Sequence, residues 1–467
     1  MPENRHIIAI GGSDAGISAA LRARELDPTS QVTVVVADNY PNFSICGIPY
    51  YVSGEVTHWS NLAHRTAADL AATGMKVLTN TLATDIDSDA HALTVVDQTG
   101  AEHVLAYDAL VIGTGATSAR PPITGIDQLG SDDGVHLLHS MGDTFAVMDS
   151  LEKRDPKSAV IIGAGYIGLE MAEGLTARGI AVTQIEALPE VLPTVDPELG
   201  ALVHDELEAN GVEVLTNTLV TGINRDDHGA LTVTATRESD TLTRTVDFVL
   251  VVVGVQPDVE LAAKAGAELG IKGSIVVDEQ MRTNLPDVFA AGDCVNTHHR
   301  LLGLTWLPLG TTAHKQGRVA GENALGGSAR FAGSLGTQVV KIFDLVAART
   351  GLREHEAAGQ WTPVSTTSTP DDHKAYYPGA TPITIRLTGD QTTGKLLGAQ
   401  LIGRRSAEIS KRVDTFAAAL YHGMTVDQIS ELDLSYTPPL GSPWDAVQVA
   451  AQHWVRENQK RDRSQLQ

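Results

Sequence analysis

Short apolar runs that end in glycine and then pass into helix-like stretches recur along this chain. Ile7 to Gly12, Leu110 to Gly115 and Val160 to Gly165 are such runs. The first continues into Ala15 to Leu26 and the third into Tyr166 to Ala177, where the pattern takes on helical character. A second β-type run follows each helix, Val32 to Val36 and Ala181 to Ile185. Strand, tight turn, helix and strand in that order predict a right-handed parallel βαβ unit, twice over. From Leu335 onward the pattern changes to separated strand-like runs, Val339 to Phe343, Ile383 to Leu387 and Leu396 to Ile402, followed by a helical stretch from Ala407 to His422. The expectation is an α/β chain with two dinucleotide-binding domains and a separate C-terminal α+β domain. The polar stretch after Val455 lacks apolar periodicity and is expected to be frayed.

Length agrees with this division, because 467 residues exceed what one hydrophobic core organises. No run of eighteen apolar residues is present that could span a bilayer. The apolar segment His6 to Ile10 is too short for a signal peptide, so a cytoplasmic location is expected. A net charge of −23 repels phosphate backbones and disfavours nucleic acid as a partner. The two cysteines, Cys46 and Cys294, cannot build a disulfide framework, and they fit a reducing compartment. Neither has a cysteine partner at metal-ligand spacing, and His298 and His299 are too few ligands, so no metal is expected.

Two glycine loops carry the candidate chemistry. Gly163-Ala164-Gly165-Tyr166-Ile167-Gly168 is a full GxGxxG directly after an apolar strand. Its first glycine makes the turn, its second lets a pyrophosphate approach the backbone, and its third lets the helix lie close on the strand. Glu186 closes the next strand about twenty residues on, where a carboxylate accepts the ribose hydroxyls and repels a 2′-phosphate. NADH is therefore expected, with NADPH as the alternative. The other loop, Gly11-Gly12-Ser13-Asp14-Ala15-Gly16, has Ser13 in place of the middle glycine, and Asp38 is the expected ribose partner. The strand that ends in Ala291-Gly292-Asp293 offers one carboxylate to a polyol such as the flavin ribityl chain.

The order of the Gly11 loop, Ile112-Gly113-Thr114-Gly115-Ala116, the Gly163 loop, Val253-Gly254-Val255-Gln256-Pro257 and Ala291-Gly292-Asp293 resembles the pyridine nucleotide-disulfide oxidoreductase superfamily over nearly the whole chain. The resemblance implies Rossmann-like domains for FAD and NAD(P) and a homodimer. The FAD domain would comprise residues 1–120 and 251–328, the NAD(P) domain 121–250 and the dimerisation domain 329–455, with a polar tail at 456–467. Expected cofactor-binding positions are Gly11, Ser13, Asp14, Gly16, Asp38, Thr114, Gly115, Gly163, Gly165, Tyr166, Ile167, Glu170, Glu186, Gly254, Gly292, Asp293 and Ala313.

Most members of that superfamily pair two redox cysteines, and this chain has instead Phe43-Ser44-Ile45-Cys46-Gly47-Ile48-Pro49-Tyr50-Tyr51. The segment is similar to the single-cysteine branch of coenzyme A-disulfide reductases and NADH oxidases and peroxidases, and looks closest to the first. A cysteine at the start of a helix meets unpaired N–H groups that lower its pKa. Cys294 is expected to pack as a small apolar residue near the flavin. Tyr376 and Tyr377, with Tyr436, look like the tyrosines that the reductases bring across the dimer to the partner's cysteine; of the first two, Tyr377 is preferred. Arg22 and Arg65 are candidate cations for a CoA substrate. Asp14 departs from both subgroups: oxidases and peroxidases carry a histidine there and the reductases a small residue.

The expected reaction is NADH-dependent reduction, through FAD, of a small-molecule disulfide or persulfide at Cys46. Tyr166 would move aside to admit the nicotinamide. The alternatives are an NADH oxidase or peroxidase cycling a sulfenic acid, a flavin reductase for a metal, quinone or redox protein, and a redox-sensing protein without turnover.

Overall fold

The structure, a computed structural model, describes residues 5–465, with side chains to residue 461. His6–Ile10 is buried along nearly its whole length, as a central parallel strand requires. It pairs with Gln31–Val35 on one side and Ala109–Ile112 on the other. Lys76–Leu78 and Val288–Ala290 complete a five-stranded parallel sheet. The helix Asp14–Leu26 crosses from the first strand to the second, which is the βαβ unit read from the sequence.

A second parallel sheet repeats the plan. Ser158–Ile162 lies between Ala181–Ile185 and Phe248–Val251, with Glu213–Leu215 and Val135–Leu137 at the edges. Its crossover helix, Tyr166–Ala177, begins and ends where the apolar pattern placed it. The antiparallel pair Ala116–Ser118 and Val255–Pro257 runs between the two units. The fold is mixed α/β with two Rossmann-like units and a C-terminal unit.

That last unit is a five-stranded antiparallel sheet in the order Gln338–Ile342, Leu345–Gly351, Leu396–Arg404, Thr384–Asp390, Pro363–Ser368. The second and fifth of these were not anticipated. Leu345–Gly351 is buried on both faces and so shows no alternation, while Pro363–Ser368 is rich in serine and threonine. The helix Ala446–Gln465 corrects the expected fraying after Val455. Its first half is anchored by Trp454, which is 2% exposed and donates from Nε1 to Val364 O at 2.8 Å. The polar residues that follow are strong helix formers, with a Glu457–Lys460 pair one turn apart. Residues 466 and 467 of the expected tail lie outside the described residues. No described helix is long and apolar enough to cross a membrane.

Candidate active site

Both glycine loops sit at the carboxyl ends of their sheets' central strands. In the second, the three glycines meet three different surroundings. Gly163 has φ +101°, and a Cβ there would fall 2.6 Å from Val252 O. A Cβ at Gly168 would fall 2.1 Å from Gly163 O, whereas one at Gly165 would meet nothing within 4 Å. Turn, close packing and open space are thus separated by position, and the open space lies at the helix N-terminus where a phosphate binds. Glu186 is buried and holds its carboxylate against this loop, accepting from Ala164 N at 2.7 Å and Leu188 N at 2.9 Å.

The first loop has the same frame. Gly11 has φ +106° and approaches Gly113 so closely that a Cβ would fall 2.0 Å from its carbonyl oxygen. Gly16 packs against Gly11 O in the same way. Ser13 is the N-cap of Asp14–Leu26, yet its hydroxyl makes no capping bond, so the helix N–H groups face the loop mouth. Asp38 is exposed beyond its strand and accepts from Tyr40 N. Thr114 donates to Asp258 O at 2.6 Å, and a Cβ on Gly115 or Gly254 would meet open space. Gly292 packs between Ala15 and Ala313.

The residues fit FAD on one observation in particular. Asp293 Oδ1 is buried and has no hydrogen-bond partner within the chain, and a ribityl hydroxyl supplies the donor that such an oxygen needs. Burial, and then the charge of Asp14, push the Asp293 carboxyl up to about 6.

Cys46 lies in the tight turn Ile45–Gly47, ahead of the short helix Ile48–Ser53. Its side chain is open to solvent, with protein around the rest of it. The expected lowering of its pKa is corrected by the structure. Burial, then Glu170, Asp14 and Asp293, push the thiol up, and one backbone hydrogen bond opposes them. The reason is spatial: protein packed around the sulfur disfavours the thiolate first, carboxylates from three other elements add to that, and together they outweigh one turn of N–H groups. Glu170 accepts from Tyr50 Oη at 3.0 Å, and burial drives its carboxyl up to about 7. Tyr50 was missed as a site residue, although it lies four positions from the cysteine. Lys341 stands over the Tyr50 ring at 5.5 Å and pairs with Glu173.

Tyr166 is half-buried at the start of its helix; its hydroxyl bonds Gln338 Oε1 and accepts from Thr194 Oγ1. Ile167 beside it packs into the second core. Cys294 is fully buried in the first core, its sulfur 3.4 Å from Ala291 O, and burial pushes its thiol up to about 11. Tyr376 and Tyr436 lie near each other, whereas Tyr377, the preferred member of its pair, turns its edge to His373. All three tyrosines are exposed, alongside Leu440 and Trp444. Arg22 is not a free cation. Its guanidinium pairs with Glu322 and Glu25. Arg65 is exposed. Among the described residues no cluster of three or more His, Cys, Asp or Glu is placed to hold a metal.

Comparison with known proteins places these features in a family. The pyridine nucleotide-disulphide oxidoreductase model matches residues 5–317, and the model of that family's dimerisation domain matches residues 337–446. An NADH oxidase of Methanocaldococcus jannaschii is 33% identical, the match covering 96% of this chain and 98% of the relative. An NAD(P)H coenzyme A polysulfide/persulfide reductase of Pyrococcus horikoshii is 33% identical over 97% of this chain and 99% of its own. Among solved structures, an NAD-dependent persulfide reductase from A. fulgidus is 37% identical with a TM-score of 0.92, covering 97% of this chain and 84% of its own. With two nucleotide loops, a lone accessible cysteine between them and a dimerisation-domain match, this chain belongs to the pyridine nucleotide-disulphide oxidoreductases, flavoenzymes that use FAD and NAD(P)H.

Proposed function

We propose that this protein reduces a small-molecule disulfide or persulfide, with CoA disulfide as the leading candidate, using NADH and the single redox cysteine Cys46. The observation that carries the reading is the placement of Cys46. It is the accessible one of two thiols, it has no cysteine partner in its own segment, and it lies among Asp14 of the first loop's helix, Glu170 of the second loop's helix and Asp293. When bound, FAD takes the electron pair of NADH and makes it available to the sulfur. Gly11, Ser13, Gly16, Thr114, Gly115, Gly292, Asp293 and Ala313 would hold it, with Asp38 on its ribose. Gly163, Gly165 and Glu186 would hold NADH, with Ile167 and Glu170 on the nicotinamide side. Glu186 would disfavour the 2′-phosphate of NADPH.

The protein's own residues then set up thiol-disulfide exchange. Cys46 attacks one sulfur, releases the other as a thiol, and is restored by the electron pair. The exposed tyrosines Tyr376 and Tyr436, with Tyr377 beside them, would reach the active site of a second copy in a homodimer and hydrogen-bond the departing sulfur. The sequence similarity to the M. jannaschii NADH oxidase supports oxygen reduction as the second reading.

Anaerobic titration with NADH, followed in the visible spectrum, tests the proposal. A long-wavelength charge-transfer band is expected in the wild type and not in Cys46→Ser, together with loss of disulfide turnover in the variant. Unchanged turnover in Cys46→Ser would sink the reading, and fast cysteine-dependent oxygen uptake without disulfide turnover would replace it with the oxidase.

A further inference from the structure

The helices Asp14–Leu26 and Gly310–Ala324 lie against each other at backbone distance. A Cβ on Gly317 would fall 2.3 Å from Ala15 O and one on Gly321 2.2 Å from Ala19 O. This approach seats His314 over the first turn of its neighbour. Its Nδ1 lies 2.8 Å from Ser18 Oγ and its Nε2 3.3 Å from Asp14 Oδ1. Asp14 and Ser18 are one helical turn apart, so a single ring is held at both nitrogens from one helix face. The other side of the ring is open, with 47% of the His314 side chain exposed.

We propose that His314 and Asp14 form a proton-delivering pair for the exchange at Cys46, with the open His314 ring as the contact to solvent and Ser18 as the residue that orients it. The inference rests on the disulfide-exchange reading. In the exchange the Cys46 thiolate attacks one sulfur of R–S–S–R′, the substrate S–S bond breaks, a Cys46–S–S–R bond forms, and R′S⁻ departs. The pair gives that anion one proton, leaving R′SH, and the imidazole recovers a proton from water. The electron pair of NADH later cleaves Cys46–S–S–R and RSH leaves, so one NADH and one proton are consumed per disulfide.

The surroundings support the pairing. Burial pushes the Asp14 carboxyl up while His314 and then His64 pull it back. Asp14 in turn helps to raise the Cys46 thiol, as do Glu170 and Asp293. His64, Glu170 on the helix Tyr166–Ala177 and Asp293 are the titratable neighbours of the pair and its thiol.

The test is the pH dependence of Cys46 alkylation by iodoacetamide on the FAD-loaded protein, read by mass spectrometry. Asp14→Asn removes a negative charge and is expected to lower the alkylation midpoint by about half a pH unit or more. His314→Gln leaves Asp14 uncompensated and is expected to raise it. The second variant should also lose about tenfold in kcat for disulfide reduction, with KM within about twofold, because proton delivery is removed and binding is not. Wild-type midpoints and kcat–pH profiles in both FAD-retaining variants would overturn the pair. Loss of turnover in Cys46→Ser, seen alongside such unchanged profiles, would leave the exchange reading standing and sink the pair alone. A measurement without variants is the NMR titration of the His314 ring before and after carboxamidomethylation of Cys46. Coupling predicts a lower midpoint once the thiolate charge is gone, and an unmoved midpoint counts against the pair.

Discussion

Asp293, the proposed acceptor for a ribityl hydroxyl, would serve binding at the expense of the empty protein. Its carboxyl sits at about 6, above the ordinary 3.8, so the folded chain binds this proton more tightly than the unfolded one. Stability is then fully present at low pH and falls as pH rises from about 4 to about 6. Asp293→Asn should therefore stabilise the FAD-free protein by roughly 2–3 kcal/mol above that window and by little below it. Urea unfolding at about pH 4.5 and about pH 7.5 reads the difference, and a gain independent of pH would refute the assignment. The same variant should bind FAD more weakly, since a neutral amide is a poorer acceptor for a ribityl hydroxyl than a carboxylate. On the proposed reading, replacement of Glu186 by alanine would remove the repulsion that a 2′-phosphate meets. The expected result is about a tenfold or larger fall in the NADPH-to-NADH KM ratio, measured by steady-state kinetics. The glycine turns and the position of Glu186 were legible because each is a local feature of one βαβ unit. Asp14–His314, whose partners come from helices at opposite ends of the FAD-type unit, was not, and neither was the burial that leads the carboxylates in raising the thiol.

Among the elements, the glycine-loop helix and the C-terminal helix respond to opposite ends of the same physics. Gly168→Ala forces a methyl against Gly163 O, which a Cβ would approach to 2.1 Å. It should cost about 1–3 kcal/mol and weaken NADH binding as the helix backs away from the strand, both measurable by unfolding and fluorescence titration. In Ala446–Gln465 the load is carried by the first half. Trp454→Ala opens a cavity beside Gly389, where the ring packs, and should cost about 3–5 kcal/mol, whereas deletion from Arg456 onward should cost about 1 kcal/mol or less. Equal losses would mean that the polar half holds the unit together. Helix continuation past Val455 escaped the sequence because apolar periodicity reports burial, and a helix that extends beyond its anchor need not bury anything further.

For the molecule as a whole, Tyr376, Tyr436, Leu440 and Trp444 are large apolar side chains left exposed within the region matched by the dimerisation-domain model, and exposed apolar surface of this kind marks an interaction site. Trp444→Asp is expected to shift the proposed dimer toward monomer in sedimentation velocity. Disulfide turnover should fall with it, while NADH still bleaches the flavin of each chain. A monomer with full turnover would show that the tyrosines of one copy do not serve the other. The order of the three units was readable because each repeats a familiar periodicity. Which surface meets which partner was not, because that is decided by side chains left exposed after every local pattern is satisfied. The contrast between the two thiols also has a practical yield. Cys294 is sealed in the first core and Cys46 stands open, so a chromogenic thiol reagent applied to the native protein counts functional chains one for one. Release of a second equivalent marks the opening of the flavin-type unit, which makes the same reagent a clock for its unfolding.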